Sequence, residues 1–144
     1  MTASQTRLPK DSLSQAVGYG AVWVTGIGVT YESSETTGRI VRTISTPGIS
    51  SSGCRSGIAA GAGSIWVTHF CRGVYRINPH SGRVTASIRV PDAGDAIAVA
   101  DGLVWVTNYN GWLLRIQPRT DRIVRKWIPI GFGDWWITRA AGAL

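Results

Sequence analysis

The chain repeats itself. Gly20-Ala21-Val22-Trp23-Val24-Thr25 returns as Gly63-Ser64-Ile65-Trp66-Val67-Thr68 and again as Gly102-Leu103-Val104-Trp105-Val106-Thr107. A second block follows at a fixed distance, where Arg76-Ile77-Asn78-Pro79-His80-Ser81-Gly82-Arg83-Val84 matches Arg115-Ile116-Gln117-Pro118-Arg119-Thr120-Asp121-Arg122-Ile123. The first repeat keeps only the end of that block, Thr37-Gly38-Arg39-Ile40. A unit of about 40 residues cannot bury its own hydrophobic face, so such units must stack on one another. Within each unit, short β-branched runs are cut by Gly and Pro, which suits strands and tight turns.

Composition agrees with the repeat. Val and Ile together number 27 against 6 Leu, and Glu and Lys occur twice each. Helical bundles and coiled coils want the opposite balance. A hydrophobic content of 44% with seven Trp excludes disorder for most of the chain. No apolar run reaches the roughly 18 residues that would span a bilayer as a helix, and no membrane partner is expected. The expected fold is all-β: a partial β-propeller of three four-stranded antiparallel blades plus the first strand of a fourth.

The boundaries follow. Residues 1–11 are expected to be a disordered tail. The blades are expected at 12–46, 54–90 and 94–130, with a fourth beginning at 133–144. In the second blade the strands are expected at 56–60, 64–70, 74–78 and 83–90, and in the third at 96–100, 103–109, 112–117 and 122–130. Propellers close with about 4–8 blades, so an open arc leaves two apolar faces. The chain is therefore expected to be part of a longer propeller or to associate with copies of itself through those faces. A further alternative is a truncated product without independent activity.

With these motifs in hand, the units resemble bacterial YVTN-type β-propeller repeats, whose blades read roughly G-x-V-W-V-[TA]-N followed by R-I-D-P-x-[TS]-x-R-V. They are also similar to the propellers of streptogramin B (virginiamycin B) lyases. The resemblance covers about residues 12–142 and speaks for the fold. The lyase resemblance implies a histidine- and glutamate-based elimination on a cyclic depsipeptide, assisted by Mg2+. His69 is the weak catalytic candidate. Glu32 and Glu35, the two glutamates, fall in the first, degenerate repeat. No full catalytic constellation is assembled on three blades, so a binding module needing no cofactor is the preferred expectation.

In a propeller the loops after the second and fourth strands share one face. That face is expected to carry Cys54, Arg55, His69, Phe70 and Arg72 from the second blade. Asp95, Asn108, Tyr109, Asn110 and Trp112 join them from the third, and Phe132 and Asp134 from the fourth. The ligand-binding candidates are Arg55, His69, Arg72, Asp95, Asn108, Tyr109 and Trp112. Their mixture of aromatics and hydrogen-bonding groups suits a protein or small polar ligand. Loops are polar whether or not they bind, and Asn108 has the alternative of capping its turn.

The net charge is +7, with 13 Arg, and residues 51–90 hold five Arg and no acid. The arginines recur in register with the repeat rather than in a run, which argues against nucleic acid. Arg76 and Arg115, in the third strand of their blades, are expected to pack their stems, with their heads hydrogen-bonded or solvated. A two-residue turn at Ala62-Gly63 would set Ala60 opposite Ile65, Ile58 opposite Val67 and Cys54 opposite Cys71. The last is a non-hydrogen-bonded pair within disulfide reach. The alternative is two unrelated buried thiols. A metal site is not expected, since two Cys and His69 are one ligand short and lack C-x-x-C spacing. Residues 1–15 show no secretory h-region, so the cytoplasm is the default; an oxidised Cys54–Cys71 pair would instead point to an exported parent protein.

Overall fold

The computed structural model describes residues 8–48, 56–69, 72–124 and 128–131, together with the backbone but not the side chain of Asp95. All its regular elements are strands. The first sheet comprises β1 (Ser14–Gly18), β2 (Ala21–Gly26), β3 (Val29–Ser34) and β4 (Ile40–Ser45) in chain order. The second comprises β5 (Ile58–Gly61), β6 (Ser64–His69), β7 (Gly73–Ile77) and β8 (Val84–Arg89), again in order. The third contains β9 (Ala93–Ala100), β10 (Leu103–Asn108), β11 (Trp112–Gln117) and β12 (Arg122–Ile123), with β13 (Ile128–Pro129) also pairing β11. Every pairing is antiparallel. These are three consecutive blades of a partial propeller. The expected fourth strand at 133–144 lies outside the described residues.

The turns explain the regular meander. Each β-hairpin between the first two strands of a blade has two central residues with positive φ: Tyr19-Gly20, Ala62-Gly63 and Asp101-Gly102. That is the backbone of a type I′ turn, whose twist matches the strands it joins. It fixes the register expected for the second blade, with Ala60 opposite Ile65 and Ile58 opposite Val67.

The repeated Trp and Thr have repeated jobs. Trp23, Trp66 and Trp105 donate their indole N–H to the carbonyls of Gly18, Gly61 and Ala100 at 3.0, 3.0 and 3.1 Å. Each bond closes the start of its own hairpin. The Thr Oγ1 donates to the first strand of its own blade or to the residue just before it, from Thr25 to Ser14 O, Thr68 to Gly57 O and Thr107 to Ala96 O.

Two apolar seams hold the blades. The first joins Ala21, Trp23 and Ile44 to Ile58, Ile65, Val67 and Ile77. The second joins Ala59, Trp66, Val74 and Ile88 to Ile97, Val104, Val106, Leu114 and Ile116. Trp23 and Trp66 are fully buried in them, a burial worth roughly 2–3 kcal/mol for a large apolar side chain. Trp105, facing outward from the third blade, is only half-buried among the described residues.

Polar clamps tie the outer ends of the seams. Arg76 stacks over Trp66 with its guanidinium carbon 4.9 Å from the ring centroid. It donates to Ser64 Oγ at 2.8 Å, to Pro118 O at 2.6 Å and to Asp121 Oδ1 at 2.8 Å. Arg115 lies over Trp105 in the same way, at 5.6 Å. In the first blade the arginine has moved. Glu32 sits opposite Trp23 on β3, and Arg42 on β4 faces Glu32. Arg42 Nε is 3.3 Å from Glu32 Oε2, an ion pair without hydrogen-bond alignment, and Arg42 donates to His80 O of the second blade at 3.2 Å.

One expectation needs correction. The first strand of the third blade begins at Ala93, not residue 96. A register shift between Val106 and Asn108 lets Ala93 pair with Asn108, and such a bulge extends pairing past the regular ladder. Asp95 thus belongs to a strand and not to a loop. The fourth strand expected at 122–130 pairs with β11 at both described ends, Arg122–Ile123 and Ile128–Pro129; residues 125–127 lie outside the described residues.

Candidate functional site

Alternation along β6 determines what its end can do. Ile65 and Val67 point into the first seam, so His69, two residues on, continues the same face. The neighbouring strands supply Tyr75, opposite Val67, and then Ser87, opposite Tyr75. The apolar seam therefore ends in a polar stretch. There a groove of about 420 Å³ opens, lined by His69, Arg72, Tyr75, Ser87 and Arg89. This volume falls in the range of small-molecule sites.

The groove is held by local constraints. The Arg72 amide donates to His69 O at 3.2 Å, and the Val90 amide to Arg72 O at 3.2 Å. Gly73 follows with φ of 152°, and a methyl group there would overlap the Ile88 carbonyl oxygen. Glycine is thus required for the turn that presents Arg72 beside His69. From the first blade, Pro47 O accepts the Tyr75 hydroxyl at 2.6 Å, and Gly48 lies near His69 Nδ1.

His69 is the unusual residue. Its ring stacks on Tyr75, centroids 4.2 Å apart and planes 21° from parallel. It is 3% exposed, and neither ring nitrogen has a hydrogen-bond partner among the described residues. Leaving a buried polar atom unpaired costs about 1–3 kcal/mol, so such an atom asks for an explanation. Burial first, and then the charge of Arg72, hold the imidazole below the ordinary histidine value of 6.5. A neutral imidazole offers one donor and one acceptor.

The other blades show what this position does structurally. Its counterpart in the third blade is Asn108, also 3% exposed. The Asn108 side-chain oxygen accepts the Trp112 amide at 2.9 Å, and its carbonyl accepts the Gly111 amide at 3.2 Å. Asn108 therefore caps its turn. In the first blade the position is Gly26. Tyr75 and Arg89 likewise correspond on the ladder to Leu114 and Pro129 of the third blade. The groove is built where the second blade departs from the repeat.

Of the expected site residues, the structure brings His69 and Arg72 into one groove. Asn108, Tyr109 and Trp112 belong to the third blade and do not line it; Tyr109 is 43% and Trp112 36% exposed. Near them Asn110 Nδ2 donates to Asp92 Oδ2 at 2.5 Å. Arg55, the Cys54–Cys71 pair and the Asp95 side chain lie outside the described residues, as do Phe70, Phe132 and Asp134. Tyr75, Ser87 and Arg89 were not anticipated, because they sit within strands rather than loops. Their alternation with Ile77 and His69 was the available signal. Among the described residues no group of three or more His, Cys, Asp or Glu is gathered for a metal ion.

No family model matches the sequence, and no curated protein matches it either. Solved structures do. U3-55K superposes with a TM-score of 0.71 at 13% identity, covering 88% of this chain and 41% of that one. The Pan2 WD40 domain of Neurospora crassa gives 0.65 at 15%, covering 80% and 35%. BamB of Moraxella catarrhalis gives 0.61 at 11%, covering 80% and 33%. At these identities the likeness is one of fold: blades of the propeller type. The chain spans well under half the length of each of these three.

Proposed function

We propose that this chain is a propeller-type binding module whose first seam holds a protein or small polar ligand at the His69 groove. The observation that carries the reading is the buried imidazole with both nitrogens unpartnered at the wall of a 420 Å³ groove. Similarity of fold to WD40 and BamB propellers supports an interaction role. The Trp-Val-Thr motifs support placing the chain among YVTN-type bacterial propellers. The half-buried Trp105 supports covering of the outer faces by further blades or a second copy.

The test is a binding comparison. His69→Ala should weaken retention of a ligand selected against the wild-type chain by tenfold or more, with the thermal midpoint kept. Asn108→Ala should leave retention unchanged. Equal retention in wild type and His69→Ala would sink the reading.

A streptogramin B lyase-like activity is the second reading. It draws on the same His69, whose neutral imidazole is able to accept a proton. Against it stands Glu32, paired with Arg42 at the other clamp. Turnover of a cyclic depsipeptide with added Mg2+, abolished by His69→Ala, would establish it.

A further inference from the structure

Two arginines in this fold have carboxylate partners. Arg76 has Asp121 and Arg42 has Glu32. Arg72 and Arg89 both line the groove, and among the described residues neither guanidinium has a hydrogen-bond or ion-pair partner. The described lining contains no carboxylate. Residues 51–90 contribute five Arg and no acid, so the second blade brings no carboxylate of its own.

The groove also holds a hydrogen-bonding group suited to an anion. The exposed Ser87 hydroxyl supplies a donor, and the buried His69 ring walls the groove without presenting either nitrogen at its surface. Tyr75 gives its hydroxyl to Pro47 O and offers its ring. Guanidinium groups match oxyanions because their donors form a planar fork.

We propose that the His69 groove is an oxyanion site for a small molecule bearing a carboxylate or phosphate, with Arg72 and Arg89 supplying charge and Ser87 a hydrogen bond, over a wall formed by the His69 and Tyr75 rings. This rests on the groove being the binding site and adds the chemistry of its ligand.

The experiment is an NMR titration of the full chain at low ionic strength, following both histidine side chains. Citrate and inorganic phosphate are the probes, and a neutral amide, acetamide, is the control. Saturable displacement of the His69 resonance by one anion, with His80 unmoved, is the expected result. The tighter-binding probe tells carboxylate from phosphate. Arg72→Gln with Arg89→Gln should weaken that affinity at least tenfold while Arg39→Gln does not. Equal shifts at His80, or unchanged affinity in the double variant, would overturn the proposal. Displacement of His69 by acetamide and by neither anion would overturn the oxyanion assignment and leave the groove as a site. No displacement by any probe, together with wild-type ligand retention in His69→Ala, would overturn both.

Discussion

Arg76 of the second blade donates to Asp121 of the third at 2.8 Å, across the seam between them. The same turn position in the second blade is Gly82, and a side chain there would collide with Arg42 of the first. Both residues hold positive φ, 68° at Gly82 and 55° at Asp121. Each seam therefore has one arginine and one carboxylate, differently placed.

Arg76→Ala should lower stability by about 1–3 kcal/mol, since it removes charge-assisted bonds and the stacking on Trp66. A double-mutant cycle with Asp121→Ala should show a coupling of about 1 kcal/mol, because both side chains are partly solvated. Urea unfolding measures this. Strictly additive losses would mean that the clamp contributes nothing as a pair.

Two glycines should respond differently to alanine. At Gly63 (φ 76°) nothing lies within 4 Å of the added methyl, so Gly63→Ala should cost about 1–2 kcal/mol from left-handed backbone alone. Ala62, at φ 49° in the same turn, shows that the conformation tolerates a methyl. Gly73→Ala meets the Ile88 carbonyl and should cost more than about 3 kcal/mol or displace Arg72 from the groove. Thermal melts of the two variants compare them directly.

Thr68 Oγ1 accepts the Gly57 amide at 2.7 Å inside the core. Thr68→Val keeps the shape and leaves that amide unpaired, at a cost of about 1–3 kcal/mol. Hydrogen exchange should accelerate at Gly57 before it does elsewhere in the blade; unchanged exchange there would contradict the assignment.

The His69 shift sets a pH dependence. Above the ordinary histidine value of 6.5 the imidazole is neutral whether folded or not, and stability does not vary on its account. As pH falls below 6.5 the unfolded chain gains a proton that the folded chain resists, so stability falls until pH passes the lowered folded value. His69→Asn, copying the third blade, should flatten that part of the curve. Denaturation midpoints between pH 7 and pH 5 test it, and an identical slope in both proteins would refute it.

Much of this was legible in the sequence. Trp, Thr and the Gly turns recur because each blade solves the same local problem, so their spacing revealed strands and register together. The place of Arg76 in strand register implies a packed stem with a bonded or solvated head, and the structure shows it bonded. The groove was less legible. His69 was noticed as a loop residue, but its companions Tyr75, Ser87 and Arg89 converge through cross-strand pairing, which single-residue chemistry does not display. The bulge at Val106/Asn108 was invisible for a similar reason: it changes which residues face each other without changing their types.

The exchanged clamps write a rule for which blade can follow which. A blade whose turn carries glycine suits a predecessor that brings both arginine and carboxylate, as Gly82 suits Arg42 with Glu32. A blade whose turn carries aspartate suits a predecessor that brings arginine alone, as Asp121 suits Arg76. Set the third blade directly after the first and two carboxylates crowd one guanidinium. Set a copy of the second after itself and the Arg76 guanidinium keeps Ser64 and the Trp66 ring but loses its carboxylate. The two seams are thus told apart by where their charges sit, separately from the apolar motif that makes the blades alike.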